Sequence, residues 1–165
     1  MGRASGADAA AIGALYERRF TALVAGAYAV LGQTETARDV VQEAFARALR
    51  NARSFRDEGS LEGWVWRIVL NVARDTARRT RFAELSADEL VDLTSLQADR
   101  TGSAELREEL RALPERQRLA VFLHYYADLP YEEVARLLGI APGTVAASLS
   151  AARNTLRHRI EEAYE

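Results

Sequence analysis

The segment Tyr131-Glu-Glu-Val-Ala-Arg-Leu-Leu-Gly-Ile-Ala-Pro-Gly-Thr-Val145 constrains the chain more than any other, because it reads as two helices hinged at Gly139. Val134, Leu137 and Leu138 give the first helix one apolar face. Gly139 supplies a tight turn, and Pro142, which has no N–H to leave unpaired, suits the first turn of a second helix. Along that helix Val145, Leu149, Ala152, Leu156 and Ile160 recur at helical spacing. Two helices joined in this way form a helix-turn-helix, a shape that can lay one helix in a groove of DNA. Short helical hairpins that merely pack have the same pattern, so the motif alone leaves both readings open.

At 165 residues with 48% hydrophobic side chains, the chain can bury one ordinary core or two small ones. The absence of Cys excludes disulfides, zinc-thiolate sites and a cysteine nucleophile, and is compatible with a reducing compartment. No apolar run approaches a membrane span, and Met1-Gly-Arg-Ala-Ser-Gly-Ala-Asp8 lacks the apolar core of a signal peptide. A cytoplasmic protein without membrane insertion is therefore expected.

A formal net charge of -2 speaks, taken alone, against a nucleic-acid partner. The charge is segregated, however. Arg67, Arg74, Arg78, Arg79 and Arg81 are opposed only by Asp75 in their stretch, while Glu84, Asp88, Glu89, Asp92 and Asp99 crowd the next one. The first group falls on an expected helix and the second in an expected linker, so the local field outweighs the sum. All 22 basic residues are Arg. Arg suits bidentate phosphate and base contacts, although a genome rich in G and C gives the same bias without structural cause.

Periodicity and punctuation predict an all-α fold of two small helical domains, 8–82 and 103–165, joined by an acidic linker, 83–102. A first helix from about Asp8 stops at Gly32, and Thr34 is placed to cap a second that reaches about Arg50. A polar loop from Asn51 to Gly59 leads to Ser60 as N-cap of a third helix running to about Thr80. In the second domain helices are predicted at 104–112, 115–127, 131–138 and 142–161, with Pro114 and Pro130 marking starts. No strand pattern or internal repeat competes.

At about 100° per residue, Arg67, Asn71, Arg74, Asp75 and Arg78 fall on one stripe of the third helix, with Val65, Ile68, Val69, Val72 and Ala73 on the broad opposite side. A solvated polar stripe would look the same. Trp64 and Trp66 sharpen the reading, because about 200° separates them and both cannot enter one core. Phe55 stands in the loop just before them. Guanidinium groups for phosphates beside flat rings for unstacked bases are what a single-strand binder needs, while one of the two Trp residues is expected simply to pack in the core.

Taken together, Asp39-Val-Val-Gln-Glu-Ala-Phe45, Trp64-x-x-Arg67-Ile68-x-x-Asn71-x-x-x-Asp75-x-x-Arg78-Arg79, Leu113-Pro-Glu-Arg-Gln-Arg118 and Gly143-Thr-Val145 resemble the extracytoplasmic-function (group IV) sigma factors of bacterial RNA polymerase. The resemblance covers about residues 12–82 and 104–160, in the family's order. It implies a promoter-specificity subunit that binds core enzyme, recognises the -10 and -35 promoter elements and initiates melting. Asp39, Gln42, Glu43, Arg47 and Arg50 match the stretch that docks on the clamp of the largest polymerase subunit; Val41, Phe45 and Leu49 on the other side read as core. The loop and helix from Asn51 to Arg81 would receive the non-template -10 strand with a base flipped into a pocket. Asn71 and Arg67 would read bases, Arg74, Arg78 and Arg79 would hold phosphates, and Trp64 or Trp66, with Phe55, would stack. An anti-sigma factor is a further partner the family implies.

The second domain would set the helix from Pro142 in the major groove of the -35 element. Arg136, Gly143, Thr144, Ala147, Ser148, Arg153 and Arg157 are the expected contacts. Here the chain departs from the family, with Ala146-Ala147-Ser148 where Lys or Arg commonly follows Gly-Thr-Val, and with Ala151 where another Arg is common. The outward face of Thr144, Ala147, Ala151, Asn154 and His158 carries little charge, so weak duplex binding by this domain is expected.

No catalytic constellation, cofactor site or metal site is visible. His124 reads as a packing residue and His158 lies on a charged helix end, so the chain is not expected to be an enzyme. Two other readings remain at this stage. A stand-alone helix-turn-helix regulator leaves the aromatic and Arg-bearing third helix without a purpose. A helical interaction protein with no DNA role leaves both DNA-facing patterns without one.

Overall fold

Helix α1 (Ala9–Leu31) begins where Asp8, in extended conformation, accepts the Ala10 N–H on Oδ1 at 3.2 Å. It ends at Gly32, whose φ of 72° turns its N–H onto the Tyr28 carbonyl at 2.8 Å, a left-handed stop that glycine adopts without steric cost. Helix α2 (Thr34–Arg50) starts one residue earlier than the sequence suggests. The cap position is Gln33, extended at φ -131°; its side chain caps no backbone N–H and instead accepts the Thr36 hydroxyl on Oε1 at 3.0 Å, and Thr34 is already helical. The left-handed Gly32 completes the reversal by itself, which leaves a single extended residue between the helices. After a 3-10 turn (Ala52–Ser54), Ser60 caps helix α3 (Leu61–Glu84) by accepting the Gly63 N–H at 2.9 Å. Helix α3 runs beyond the expected stop at Thr80.

These coordinates are a computed structural model that describes residues 6–56, 59–84 and 104–163. Every regular element among them is helical, as the periodicity predicts. The acidic character expected of the linker lies almost wholly outside the described residues. The chain divides into two compact units, Met1–Val91 and Asp92–Glu165.

In the first unit α1, α2 and α3 pack against one another. Ile12 and Leu23 from α1, Val41 and Ala44 from α2, and Val65, Val69 and Leu70 from α3 are wholly or almost wholly buried. Many positions along these seams are Ala (Ala22, Ala27, Ala37, Ala44, Ala48, Ala73), which brings the helix backbones close and leaves the remaining volume to a few large groups. One of those is Trp66, 1% exposed, whose ring lies against Gly26. Tyr16 meets Phe45 edge-on with centroids 4.8 Å apart, and Arg19 reaches Glu62 of α3 at 2.8 Å. Val41 and Phe45 are core as expected, but Leu49 is not. It is 49% exposed. Eight residues of helix carry it about 80° round from Val41, which puts it past the edge of the buried face while Ala48 beside it stays in the core.

The second unit packs α4 (Ala104–Ala112), α5 (Glu115–Val121), a π-turn (Phe122–Tyr126), α6 (Tyr131–Leu138) and α7 (Pro142–Ala163). Leu119, Leu123, Val134, Val145, Leu149 and Ala152 form its core. Arg118 closes the end of α4 by donating to the carbonyls of Arg111 and Leu113 at 2.7 and 3.0 Å. Arg159 of α7 reaches Glu109 of α4 at 2.9 Å. The single helix expected over 115–127 is instead α5 followed by the π-turn. There the Ala127 N–H bonds to the Phe122 carbonyl and the Leu129 N–H to the Leu123 carbonyl, and Asp128 takes a left-handed φ of 56°. His124 Nδ1 donates to the Leu129 carbonyl at 2.9 Å and its ring lies between Tyr125 and Tyr131. It is a packing residue, as the sequence indicates. Gly139, at φ 66°, makes the hinge to α7.

Candidate nucleic-acid interface

The outward stripe of α3 forms as its period predicts. Val65, Val69, Val72 and Ala73 are buried, Ile68 is half-buried, and Arg67, Asn71, Arg78, Arg79 and Arg81 are exposed. Arg78 lies 3.3 Å from Asp75, an exposed pair that little energy opposes separating. Arg74 and Asp75 are half-buried at the edge of the stripe.

The two Trp residues divide the work that the sequence left shared between them. Trp66 is core, with its Nε1 buried and without an acceptor among the described residues, so it cannot stack on a base. Trp64 is half-buried, and its ring meets Phe55 at 5.5 Å between centroids with 59° between planes. The Ser60 cap sets the start of α3 and thereby the direction of Trp64. Phe55 is held from the other side, its N–H bonded to the Ala52 carbonyl at 3.3 Å. The result is a tilted aromatic pair at the head of the Arg-bearing stripe. Arg53 and Arg56 flank Phe55 and are exposed. Loop residues carry no periodicity, so sequence reasoning passed over them; their closeness to Phe55 in the chain was the available signal.

On α2 the candidate docking residues share one surface. Asp39 and Gln42 are exposed, while Glu43 accepts from Arg47 Nε at 2.7 Å and from Arg50 at 3.3 Å. The hydrogen bond from Arg47 holds the Glu43 carboxyl below its ordinary value; desolvation opposes it, and the charges of Arg47 and Arg50 add to the lowering. The exposed Leu49 stands one residue before Arg50 and adds an apolar element that the sequence had assigned to the core.

In the second unit Gly143, Ala147, Arg153 and Arg157 are exposed, and Thr144 is half-buried. Ser148 does not face outward as expected. At 9% exposure it faces inward, because it falls about 60° from Val145 and inside the buried sector. Of the outward face, Ala147, Asn154 and His158 are exposed and Ala151 is half-buried. Arg136 is hydrogen-bonded to Glu133, which is itself buried, and Arg153 reaches the Tyr125 hydroxyl at 3.3 Å. The early turns of α7 therefore offer small groups, and the cations lie further along. Among the described residues no His, Asp and Glu side chains gather as metal ligands would, and no single helix is long and apolar enough to cross a membrane.

Residues 15–83 match the model of sigma-70 region 2, and residues 103–156 match that of sigma-70 region 4. The extracytoplasmic-function sigma-E factor of Escherichia coli is 31% identical over 139 residues, which cover 74% of this chain and 73% of that protein. The chain belongs to the extracytoplasmic-function sigma factors. A second relative, the sigma factor YlaC of Bacillus subtilis, is 31% identical over 140 residues, 79% of this chain and 81% of YlaC. In fold the chain is similar to the sigma factor RpoE of Bartonella quintana, solved in complex with the anti-sigma factor NepR. That likeness has a TM-score of 0.75 at 24% identity and covers 90% of this chain and 97% of RpoE. The stand-alone regulator is disfavoured, because region 2 lies wholly outside the hairpin.

Proposed function

We propose that this sigma factor directs RNA polymerase to its promoters through a division of labour between its two units. The first docks on the clamp of the largest core subunit through Asp39, Gln42, Glu43, Arg47 and Arg50, and captures the melted -10 strand. Arg67 and Asn71 read bases, Arg74, Arg78 and Arg79 hold phosphates, and an unpaired base stacks on the Phe55–Trp64 pair. The second unit lays α7 along the -35 duplex, with Gly143, Thr144 and Ala147 against base edges and Arg136, Arg153 and Arg157 near the backbone. As an initiation factor it supplies binding rather than bond-making chemistry, uses no cofactor, and acts in the cytoplasm. An anti-sigma factor that covers one of these surfaces is the expected regulator.

The observation that carries this reading is the exposed row Arg67, Asn71, Arg78 and Arg79 beside an aromatic pair that the core does not absorb. Stacking rings next to phosphate-binding cations suit a strand already unpaired, whereas a duplex presents no free ring faces. The test is reconstitution of core polymerase with this chain on genomic DNA, followed by sequencing of the transcripts. Starts that share a common upstream -10 and -35 sequence are expected. Failure of the chain to co-purify with core would sink the proposal.

A further inference from the structure

The residues ahead of α1 run along the turn that leads to Phe55. Ala7 donates its N–H to the Ala52 carbonyl at 2.8 Å, and the same carbonyl accepts the Phe55 N–H at 3.3 Å. Gly6 passes so close that an added Cβ would lie 2.9 Å from Arg53 Cα and 3.0 Å from the Ala52 oxygen. Those are backbone atoms, which cannot swing aside as the end of a side chain can. A side chain at residue 6 must push the two backbone segments apart. The segment is anchored on its other side, where Asp8 caps α1 and the fully buried Ile12 follows in the first turn. The turn's remaining bonds are local. Ser54 places its N–H and its hydroxyl on the Asn51 carbonyl at 2.8 and 2.7 Å, and the Asn51 amide donates to the Arg47 carbonyl at 3.0 Å. The bond from Ala7 thus ties this turn to α1.

We infer that Gly6 and Ala7 form a backbone strap that positions the Phe55–Trp64 pair, so that the segment ahead of the first helix sets how well an unpaired promoter base is held. The inference rests on the reading of that pair as part of the -10 site. Because Ala52 accepts from Ala7 and Phe55 together, displacing the strap moves the carbonyl to which Phe55 is pinned. Phe55 in turn carries one face of the contact with Trp64. Sites on loops reach the accuracy of helix-borne sites only when other elements hold them in place. Here Gly6 and Ala7 act as positioning residues, and touch no base themselves.

The test uses the full chain with Gly6→Val and, so that a new clash is not the only perturbation, a second variant lacking residues 1–7. Gly13→Ala is the control, since an added Cβ there meets nothing within 4 Å. Acrylamide quenching of Trp64, taken as the difference from Trp64→Phe in each background, reads the position of the pair without DNA. The buried Trp66 supplies a constant background. Both variants are expected to show a more accessible Trp64, to co-purify with core as the parent does, and to open a duplex promoter about ten-fold more slowly, the scale of one lost base stack. Unchanged Trp64 quenching in both variants overturns the strap, as does a loss of opening matched by an equal loss of core binding. Increased quenching, in a chain whose parent holoenzyme opens no promoter, upholds the strap and instead overturns the -10 reading.

Discussion

The ring of Trp66 occupies the space that a side chain on Gly26 would need. A Cβ at Gly26 would lie 2.7 Å from Cη2 and nearer still to Cζ3, with the ring itself 1% exposed and closed in by the bundle. Gly26→Ala is therefore expected to destabilise the first unit by about 1–3 kcal/mol, the scale of overpacking in a filled core. Gly13→Ala, on an open part of the same helix, should instead stabilise by about 0.5–1 kcal/mol. Urea denaturation of the two variants checks the contrast. Equal effects would mean that Trp66 yields easily.

The two Trp residues should fail in different assays. Trp66→Ala empties a core position and is expected to cost about 3–5 kcal/mol of stability. Trp64→Ala removes a half-buried ring and should leave most of the stability in place while slowing promoter opening by about ten-fold or more, with core binding retained. Permanganate reactivity of unpaired thymines measures the opening. A Trp64→Ala holoenzyme that opens promoters at the parent rate would remove the ring from the site.

Acid should erase the contribution of Glu43. Its carboxyl is held below the ordinary value of 4.5 by the hydrogen bond from Arg47 and by the charges of Arg47 and Arg50. A depressed native pKa means that the stabilisation is complete above the unfolded value and is lost as pH falls through the native one. The difference in melting temperature between the parent and Glu43→Gln should hold steady above pH 4.5 and shrink below it. A difference that stays constant down to strongly acid pH would show that Glu43 contributes through packing alone.

The alanine-rich start of α7 should make the second unit a weak duplex binder with a shallow response to salt. Each phosphate contact contributes about 0.9 to the slope of log K against log salt, so Arg157→Ala should lower the slope of residues 103–165 by about one if Arg157 touches a phosphate. Fluorescence anisotropy on -35 DNA reads both quantities. A steep slope in the parent would mean that more cations reach the backbone than Arg136, Arg153 and Arg157.

Much of this architecture was legible in the chain. Gly32, Gly139 and Ser60 act locally, through a left-handed turn or a single cap, and each stands where the sequence puts it. Errors arose where a neighbour decides the matter. Thr34 lost the cap because Gly32 finished the turn alone. Leu49 left the core because a period of 3.6 residues drifts over two turns. The π-turn at Phe122 is accompanied by a contact between His124 and the Leu129 carbonyl five residues on, which helical spacing does not contain.

By itself, the sequence determined the helices, the two-part organisation, the polar stripe of α3 and the motifs that place the chain among sigma factors, because each of these is a matter of spacing and of residue chemistry within one segment. Only the tertiary structure decided which Trp remains available to a base and where Ser148 points. Burial is a property of what comes to lie opposite a side chain, and for Trp66 that neighbour, Gly26, is forty residues away in the chain and on another helix.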